Sequence, residues 1–278
     1  MGSVLLVTHQ HRDEAARLAV DAIEWLTEAG HKVALPEEDA VLLGRPDLAV
    51  KAIAPGRVDL AVSIGGDGTM LRTVDLVALA GVPVLGVNVG QLGYLVEVEP
   101  PEFRRAVECF FEGDHRIEER MMLHVSVEGG PSGAALNEAV LEKTSIGHTV
   151  RLRVSIDGEP FTYTADGFII ATPTGSTAYA LSARAPILAP NHRALLLTPV
   201  APHMLFDRSF VLEPDTEVRI EVASYRPARL FLDGRELAVL EEGMAVRCTA
   251  LDQPARLVTF APRNFLGILK SKFGLNDR

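Results

Sequence analysis

Cysteine is nearly absent: the chain has only Cys109 and Cys248 in 278 residues. They lie far apart and in no metal-ligand spacing. This excludes a disulfide framework and a thiolate metal site, and it fits a reducing, cytoplasmic setting. Long apolar runs are also missing. None reaches the roughly 18–20 residues that a membrane-spanning helix needs. The first residues, Met1 to Thr8, carry no basic leader and read as a strand, so no export signal is expected. Positive charge is in deficit, with 27 Lys and Arg against 37 Asp and Glu, a formal net charge of −10. That argues against a partner such as nucleic acid or an anionic membrane, which call for a basic face. A phosphorylated small ligand remains compatible, because backbone N–H groups and a magnesium ion neutralise phosphate locally. The eight histidines show no HExxH spacing. His9, His11 and His203 read as surface or hydrogen-bonded residues rather than metal ligands.

What is present is ordinary for a folded domain: 47% apolar and 23% charged residues. Up to about residue 115 the pattern alternates between strand and helix. Ser3–Val7, His31–Leu35, Asp59–Ile64 and Val82–Val87 read as strands, the third apolar throughout, as for a strand buried on both faces. Arg12–Ala29, Met70–Ala80 and Pro101–Phe111 read as helices. In the first, Ala16, Leu18, Ala19, Ile23 and Leu26 share a broad face, and Gly30 stops it. This order implies an α/β N-terminal domain with an open, mostly parallel sheet. From Arg120 to Pro262 the chain is mainly short alternating runs: His124–Val127, Ala139–Glu142, Arg151–Ile156, Phe161–Thr164, Val218–Val222, Leu230–Leu232 and Val246–Thr249. Asp157-Gly158 is a hairpin turn signal between two of them. The expectation is an all-β C-terminal domain of packed antiparallel sheets. The expected boundaries are 1–115 for the first domain, joined by a terminal segment 263–278 that contains a short helix over Asn264–Lys272, and 116–262 for the second.

Apolar Leu60–Ile64 runs directly into Gly65-Gly66-Asp67-Gly68-Thr69, and a helix is expected from Met70. A glycine-rich turn at the carboxyl end of a parallel strand is where open α/β sheets bind ligands. The following helix offers unpaired N–H groups and partial positive charge to phosphate oxygens. Asp67 is the unexpected member, since a carboxylate repels phosphate. It serves as a general base towards an attacking hydroxyl, as its orienter, as a magnesium partner, or merely as a helix cap. The loop fits neither GxGxxG nor GxxxxGK[ST].

With two further motifs the sequence resembles the bacterial NAD kinases. These carry a GGDGT loop, then an Asn-Glu pair, then a TPTGSTAY stretch. Here they are Gly65–Thr69, Asn137-Glu138 and Thr172–Tyr179, the last preceded by Asp166-Gly167. Asn88-Val89-Gly90-Gln91-Leu92-Gly93-Tyr94 is similar to the family's Gly-x-Leu-Gly-Phe region, with Tyr94 for Phe. The resemblance implies an α/β domain, a β-rich domain and a site in the inter-domain cleft. It implies phosphorylation of the adenosine 2′-hydroxyl of NAD by ATP, or in some members by polyphosphate. A divalent metal, magnesium, would arrive with the nucleotide rather than in a dedicated cage, and bacterial members are usually homo-oligomers. On that basis Asp67 is the catalytic carboxylate, and Gly65, Gly66, Gly68 and Thr69 line the phosphate path. Asn137, Glu138, Asp166, Thr174, Thr177, Ala178, Tyr179, Tyr94 and Asp233 are expected around NAD, although Asp233-Gly234 fits a hairpin turn equally well.

Two departures stand out. Where the family reads Ser-Ala-Gly-Gly-Pro, this chain has Ser182-Ala183-Arg184-Ala185-Pro186, which implies a less permissive backbone and an Arg184 facing solvent or an interface. Thr164 stands where members often carry Arg. Both bear on donor choice, affinity and regulation. Two other readings share these features: a lipid or sphingoid-base kinase using the GGDGT loop, and a non-catalytic NAD-binding regulator. The intact Asp67 argues against the second.

Overall fold

The computed structural model describes residues 1–90 and 93–275. Gln91 and Leu92, part of the Asn88–Tyr94 motif, lie outside the described residues. The chain divides into two compact units, Met1–Glu119 with Ala255–Arg278, and Arg120–Pro254.

The first unit starts β1 (Ser3–Thr8), α1 (Asp13–Glu28), β2 (Lys32–Pro36), α2 (Glu37–Leu42), β3 (Ala49–Val50), β4 (Leu60–Gly65), α3 (Asp67–Val77), β5 (Val84–Asn88), α4 (Phe103–Glu112) and, at its border, β6 (Arg116–Arg120). The second unit contributes β7 (Leu123–Val127), β8 (Ser132–Ala135), β9 (Glu138–Lys143), β10 (Val150–Ile156), β11 (Glu159–Ala165), β12 (Gly167–Ala171), α5 (Tyr179–Ser182), β13 (Leu195–Val200), β14 (Phe210–Leu212), β15 (Val218–Val222), β16 (Ala228–Leu232), β17 (Arg235–Leu240) and β18 (Ala245–Ala250). The chain then re-enters the first unit as β19 (Ala255–Thr259) and α6 (Phe265–Lys272).

In the first unit one sheet runs β3-β2-β1-β4-β5-β19-β6. The pairs β1/β2, β1/β4, β2/β3, β4/β5 and β5/β19 are all parallel. Every residue of β4 and β5 is buried, as a parallel sheet covered on both faces requires. The buried stripe of α1 is Ala15, Ala19, Ala22, Ile23 and Leu26, the spacing of one helical face. The face is therefore centred one step away from Ala16, which is only half-buried. Helix α3 begins at Asp67, three residues before the expected Met70. Gly66 stands at its N-cap, and the Gly66 carbonyl accepts the Met70 N–H at 3.0 Å. The loop glycines hid this first turn, and an aspartate at the first helical position is favoured by the helix dipole.

In the second unit, two antiparallel sheets run β11-β10-β15-β18-β7-β8 and β14-β13-β12-β9-β16-β17. Alternate residues of both fill the core between them: Leu123, Val125, Leu152 and Val154 from one, Ala139, Leu141, Phe168, Ile170 and Leu197 from the other. The intervening positions of the second sheet, Val140, Ile169, Ala171 and Leu196, pack on its outer face with Ala180 and Ala185. Its central strands are thus covered on both sides. That is why β12, Gly-Phe-Ile-Ile-Ala, shows no alternation in its sequence. The β10–β11 hairpin turns at Asp157 (φ 46°) and Gly158 (φ 89°), as the Asp-Gly signal implies.

Candidate functional site

In the first unit, the glycine loop leaves β4 at the carboxyl edge of the parallel sheet. Asp67 does not cap its own helix. Its Oδ2 accepts the Tyr94 N–H at 2.8 Å and its Oδ1 accepts the Leu95 N–H at 2.9 Å. Gly93 makes this approach possible, because a β-carbon there would run into Asp67 Oδ1. Two of the roughly four acceptor positions of the carboxylate are taken, so each oxygen can still accept one more bond. Tyr94 enters the site through its backbone. Its phenol is pushed up in pKa by burial and by the Asp67 charge, and Lys272 Nζ lies 4.3 Å from its ring centroid.

Three basic residues that the motifs did not flag lie beside this loop: Arg12, His9 and Arg72. The Gly65 carbonyl accepts the Val89 N–H at 2.9 Å, and Arg12 donates to the Val89 carbonyl. His9 follows β1 directly and donates its N–H to the Ile64 carbonyl. Its pKa is lowered by burial, then by Arg12, His11 and Arg72. Arg72, one turn into α3, donates to both oxygens of the fully buried Asp39 at 2.7 Å and to the Thr8 carbonyl at 2.8 Å. The Thr8 N–H in turn donates to Asp39. The available signal for all three was position: the carboxyl end of β1 and the helix behind the loop.

In the second unit, Asn137 and Glu138 open β9, a strand flanked by β12 and β16. Three consecutive N–H groups, those of Leu136, Asn137 and Glu138, donate to the Asp233 carboxylate at 2.7, 2.9 and 3.0 Å. Asp233 (φ 47°) and Gly234 (φ 82°) form the turn between β16 and β17. Asp233 is thus at once a hairpin residue and the anchor of the Asn-Glu pair. On the other side, the Asn137 carbonyl accepts the Thr172 N–H at 2.8 Å, and the Thr172 hydroxyl donates to the Leu136 carbonyl at 2.5 Å. Gly175 packs so closely on Asn137 that a β-carbon would meet its carbonyl oxygen.

The long motif is a tight turn over Thr174–Thr177 leading into α5 at Tyr179. Thr177 donates to the Thr174 carbonyl at 3.3 Å, and Ala178 bends the chain between the two. Arg120, a buried residue outside the motifs, reaches the Thr174 hydroxyl at 3.4 Å. Glu138 is nearly buried, and its carboxyl pKa is pushed up to about 8, first by burial and then by the Asp233 charge, against the pull of the Tyr179 N–H. Tyr179 is partly exposed. Its phenol pKa is raised by burial and by the carboxylates of Glu142, Asp166 and Glu138. Asp166 is the single residue between β11 and β12; its N–H donates to the Val200 carbonyl, and Lys143 Nζ lies 2.7 Å from its carboxylate.

At Arg184 the side chain is exposed, as expected, but the expectation for the backbone needs correction. Arg184 adopts φ 65° even without glycine. It stands just past the end of α5, where a helix closes through a left-handed residue, and the Ala185 N–H bonds back to the Ala180 carbonyl at 3.0 Å. The backbone has kept the turn, and the exposed arginine carries the strain. Cys109 and Cys248 are both buried free thiols. Among the described residues no group of three or more His, Cys, Asp or Glu could hold a metal ion, and no helix is long and apolar enough to cross a membrane.

Comparison with known proteins supplies the context for these two sets of residues. The ATP-NAD kinase N-terminal domain profile matches residues 4–115, and the ATP-NAD kinase C-terminal domain profile matches residues 136–260. The NAD kinase of Desulforamulus reducens is 36% identical over 98% of this chain and 97% of its own length. Among solved structures, yeast NADH kinase complexed with NADH has the same fold, with a TM-score of 0.87 at 24% identity over 100% of this chain and 89% of that one. An Archaeoglobus fulgidus NAD kinase in complex with ATP follows with a TM-score of 0.72 at 23% identity, over 99% of both chains. The profiles cover most of the sequence and the bacterial relative nearly all of it, so the chain belongs to the ATP-NAD kinase family.

Proposed function

We propose that this chain phosphorylates NAD at its adenosine 2′-hydroxyl, with Asp67 acting on that hydroxyl. As an NAD kinase it is a phosphotransferase that uses ATP and yields NADP. The observation that carries the role of Asp67 is its geometry: a carboxylate at the start of α3, fixed by two backbone N–H bonds and with acceptor capacity to spare. In the reaction the 2′-oxygen attacks the terminal phosphorus, the bond to the bridging oxygen breaks, and ADP leaves. The hydroxyl proton passes to Asp67 or is held by it while the oxygen attacks.

The two units take different parts in this reading. The first unit, Met1–Glu119 with Ala255–Arg278, acts as the phosphate-loop domain, and the second, Arg120–Pro254, as the NAD-binding domain; the expected boundaries at 115 and 263 move because β19 belongs to the first sheet. Gly65, Gly66, Gly68 and Thr69 line the phosphate path, with Arg12 adding positive charge and Arg72, paired with Asp39, bracing the end of β1. Asn137 and Glu138 accept from ribose hydroxyls. Asp166, Thr174, Thr177, Ala178 and Tyr179 shape the pocket for NAD, and Tyr179 offers an aromatic face to a base. Asp233 serves by fixing the Asn-Glu backbone. A divalent ion, magnesium, enters with ATP. The unused acceptor positions of Asp67 would suit a single protein ligand to it, and the ion would supply neutralising charge to the phosphates. The protein works in the cytoplasm as a homo-oligomer.

The purified chain with ATP, magnesium and NAD is expected to form NADP. Polyphosphate in place of ATP tests the donor, and NADH in place of NAD tests the acceptor. Turnover of diacylglycerol but not NAD would replace this reading with that of a lipid kinase. Tight NAD binding without turnover would make the chain a regulator.

A further inference from the structure

Arg263 follows β19 and precedes Asn264, whose side chain accepts the Gly267 N–H at the start of α6. Its side chain is only 10% exposed. Nη1 donates to the Tyr94 carbonyl at 2.9 Å and Nη2 to the Leu95 carbonyl at 2.8 Å. The N–H groups of the same two residues are the ones that hold Asp67. The peptide linking Tyr94 to Leu95 therefore has a guanidinium on its oxygen and the Asp67 carboxylate on its nitrogen. A cation on the carbonyl polarises the peptide and strengthens its N–H as a donor. By fixing the Tyr94 carbonyl, the fork also fixes the direction of the Leu95 N–H in the same planar peptide, while its hold on the Leu95 carbonyl pins the far side of that residue. Behind the fork, Nε lies 3.5 Å from Glu97 and 3.4 Å from Glu118, which hold the guanidinium in place.

We propose that Arg263 is a positioning residue for Asp67. It clamps the Tyr94–Leu95 peptide from the carbonyl side so that the Leu95 N–H, beside that of Tyr94, aims the carboxylate at the substrate hydroxyl. The inference rests on the catalytic role proposed for Asp67. Gly93, just before the clamped peptide, has no side chain and so lets Asp67 Oδ1 come close. Lysine cannot replace the fork: an ammonium is a point charge, whereas two separate carbonyls need two donors at fixed spacing.

The test uses the full chain with Arg263→Lys and Arg263→Gln, each alone and combined with Asp67→Asn. Hydrogen exchange at the Tyr94 and Leu95 amides is followed together with steady-state kinetics. The expected result for Arg263→Lys is faster exchange at these two amides and a kcat lowered about tenfold to a hundredfold, the range of a small misplacement. The KM values for NAD and ATP should stay within about threefold. In the Asp67→Asn background the same change should alter kcat by less than about threefold, since residues acting as a unit are not additive. Unchanged exchange at both amides would overturn the proposal, as would a kcat loss of equal size in both backgrounds, the mark of a merely structural role. If Arg263→Gln does not fold, Arg263→Lys decides. Failure of the Asp67 reading is seen separately: Asp67→Asn alone would then turn over at the wild-type rate, while amide exchange would still report whether Arg263 holds the loop.

Discussion

The Asp233 carboxylate lies 2.9 Å from the backbone nitrogen of Asn137, and the same oxygen takes the Glu138 N–H at 3.0 Å. A residue at a hairpin turn thus sets the backbone of the most specific pair in the second unit. Hydrogen bonds to a charged acceptor are worth about 1.5–3 kcal/mol each. Asp233→Ala is expected to lower unfolding stability by roughly 2–4 kcal/mol and to raise the KM for NAD more than it lowers kcat. Asp233→Asn, which tolerates the left-handed turn, should be milder in both. Urea titration and initial-rate kinetics on the two variants measure this. Equal KM values in wild type and Asp233→Ala would remove Asp233 from the binding argument.

Asp67→Asn keeps the size and one acceptor of the side chain but cannot take up a proton. It should fold with a somewhat lower Tm, because its amide NH2 now faces one of the two backbone N–H donors, and lose turnover by about 10²–10⁴, the usual contribution of a positioned acid or base. A variant that stays within about threefold of the wild-type rate would end the base or orienter role.

Glu138 makes stability depend on pH. Its carboxyl titrates near 8 in the folded chain against a reference value of 4.5. The folded state therefore binds the extra proton between these values. The stability linked to it is complete below about pH 4.5 and is lost as pH rises through about 8. Without ligand, wild type should lose stability across this window, while Glu138→Gln should show a flatter profile and gain on wild type at pH 8.5. Chemical denaturation from pH 5 to 8.5 compares the two slopes, and identical slopes would mean that Glu138 does not carry the proton.

Arg184→Gly removes a left-handed non-glycine residue from the end of α5. A left-handed L-residue costs roughly 1–2 kcal/mol relative to glycine, offset in part by the freer unfolded chain. The variant should gain up to about 1 kcal/mol, visible as a higher Tm. An unchanged or lower Tm would show that the arginine makes a compensating contact.

The α/β pattern, the β-rich half and the three motifs were legible because each leaves a local mark: apolar β4 before glycines, helical spacing in α1, the Asp157-Gly158 turn. The strands β12 and β13 were not legible, because burial on both faces erases the alternation that marks a strand. Asp67 stood out as a charge in a phosphate loop, but its partners at Tyr94 and Leu95 are distant in sequence. Arg12, Arg72 and Arg120 carry no motif. Their importance comes from where the chain ends its strands and helices, which only the assembled backbone reveals.

The position of β19 bears on how the protein is made. This strand lies between β5 and β6 in the first sheet, yet it follows the whole second unit in the chain. A ribosome that has synthesised everything up to Pro254 has produced a first unit whose sheet still lacks an inner strand. The edges of β5 and β6 stay open until Ala255–Thr259 emerges, and such unpaired edges invite association with other chains. Completion of the first unit therefore comes only after the whole second unit has been made. A chain truncated after residue 254 should aggregate rather than accumulate as a working half.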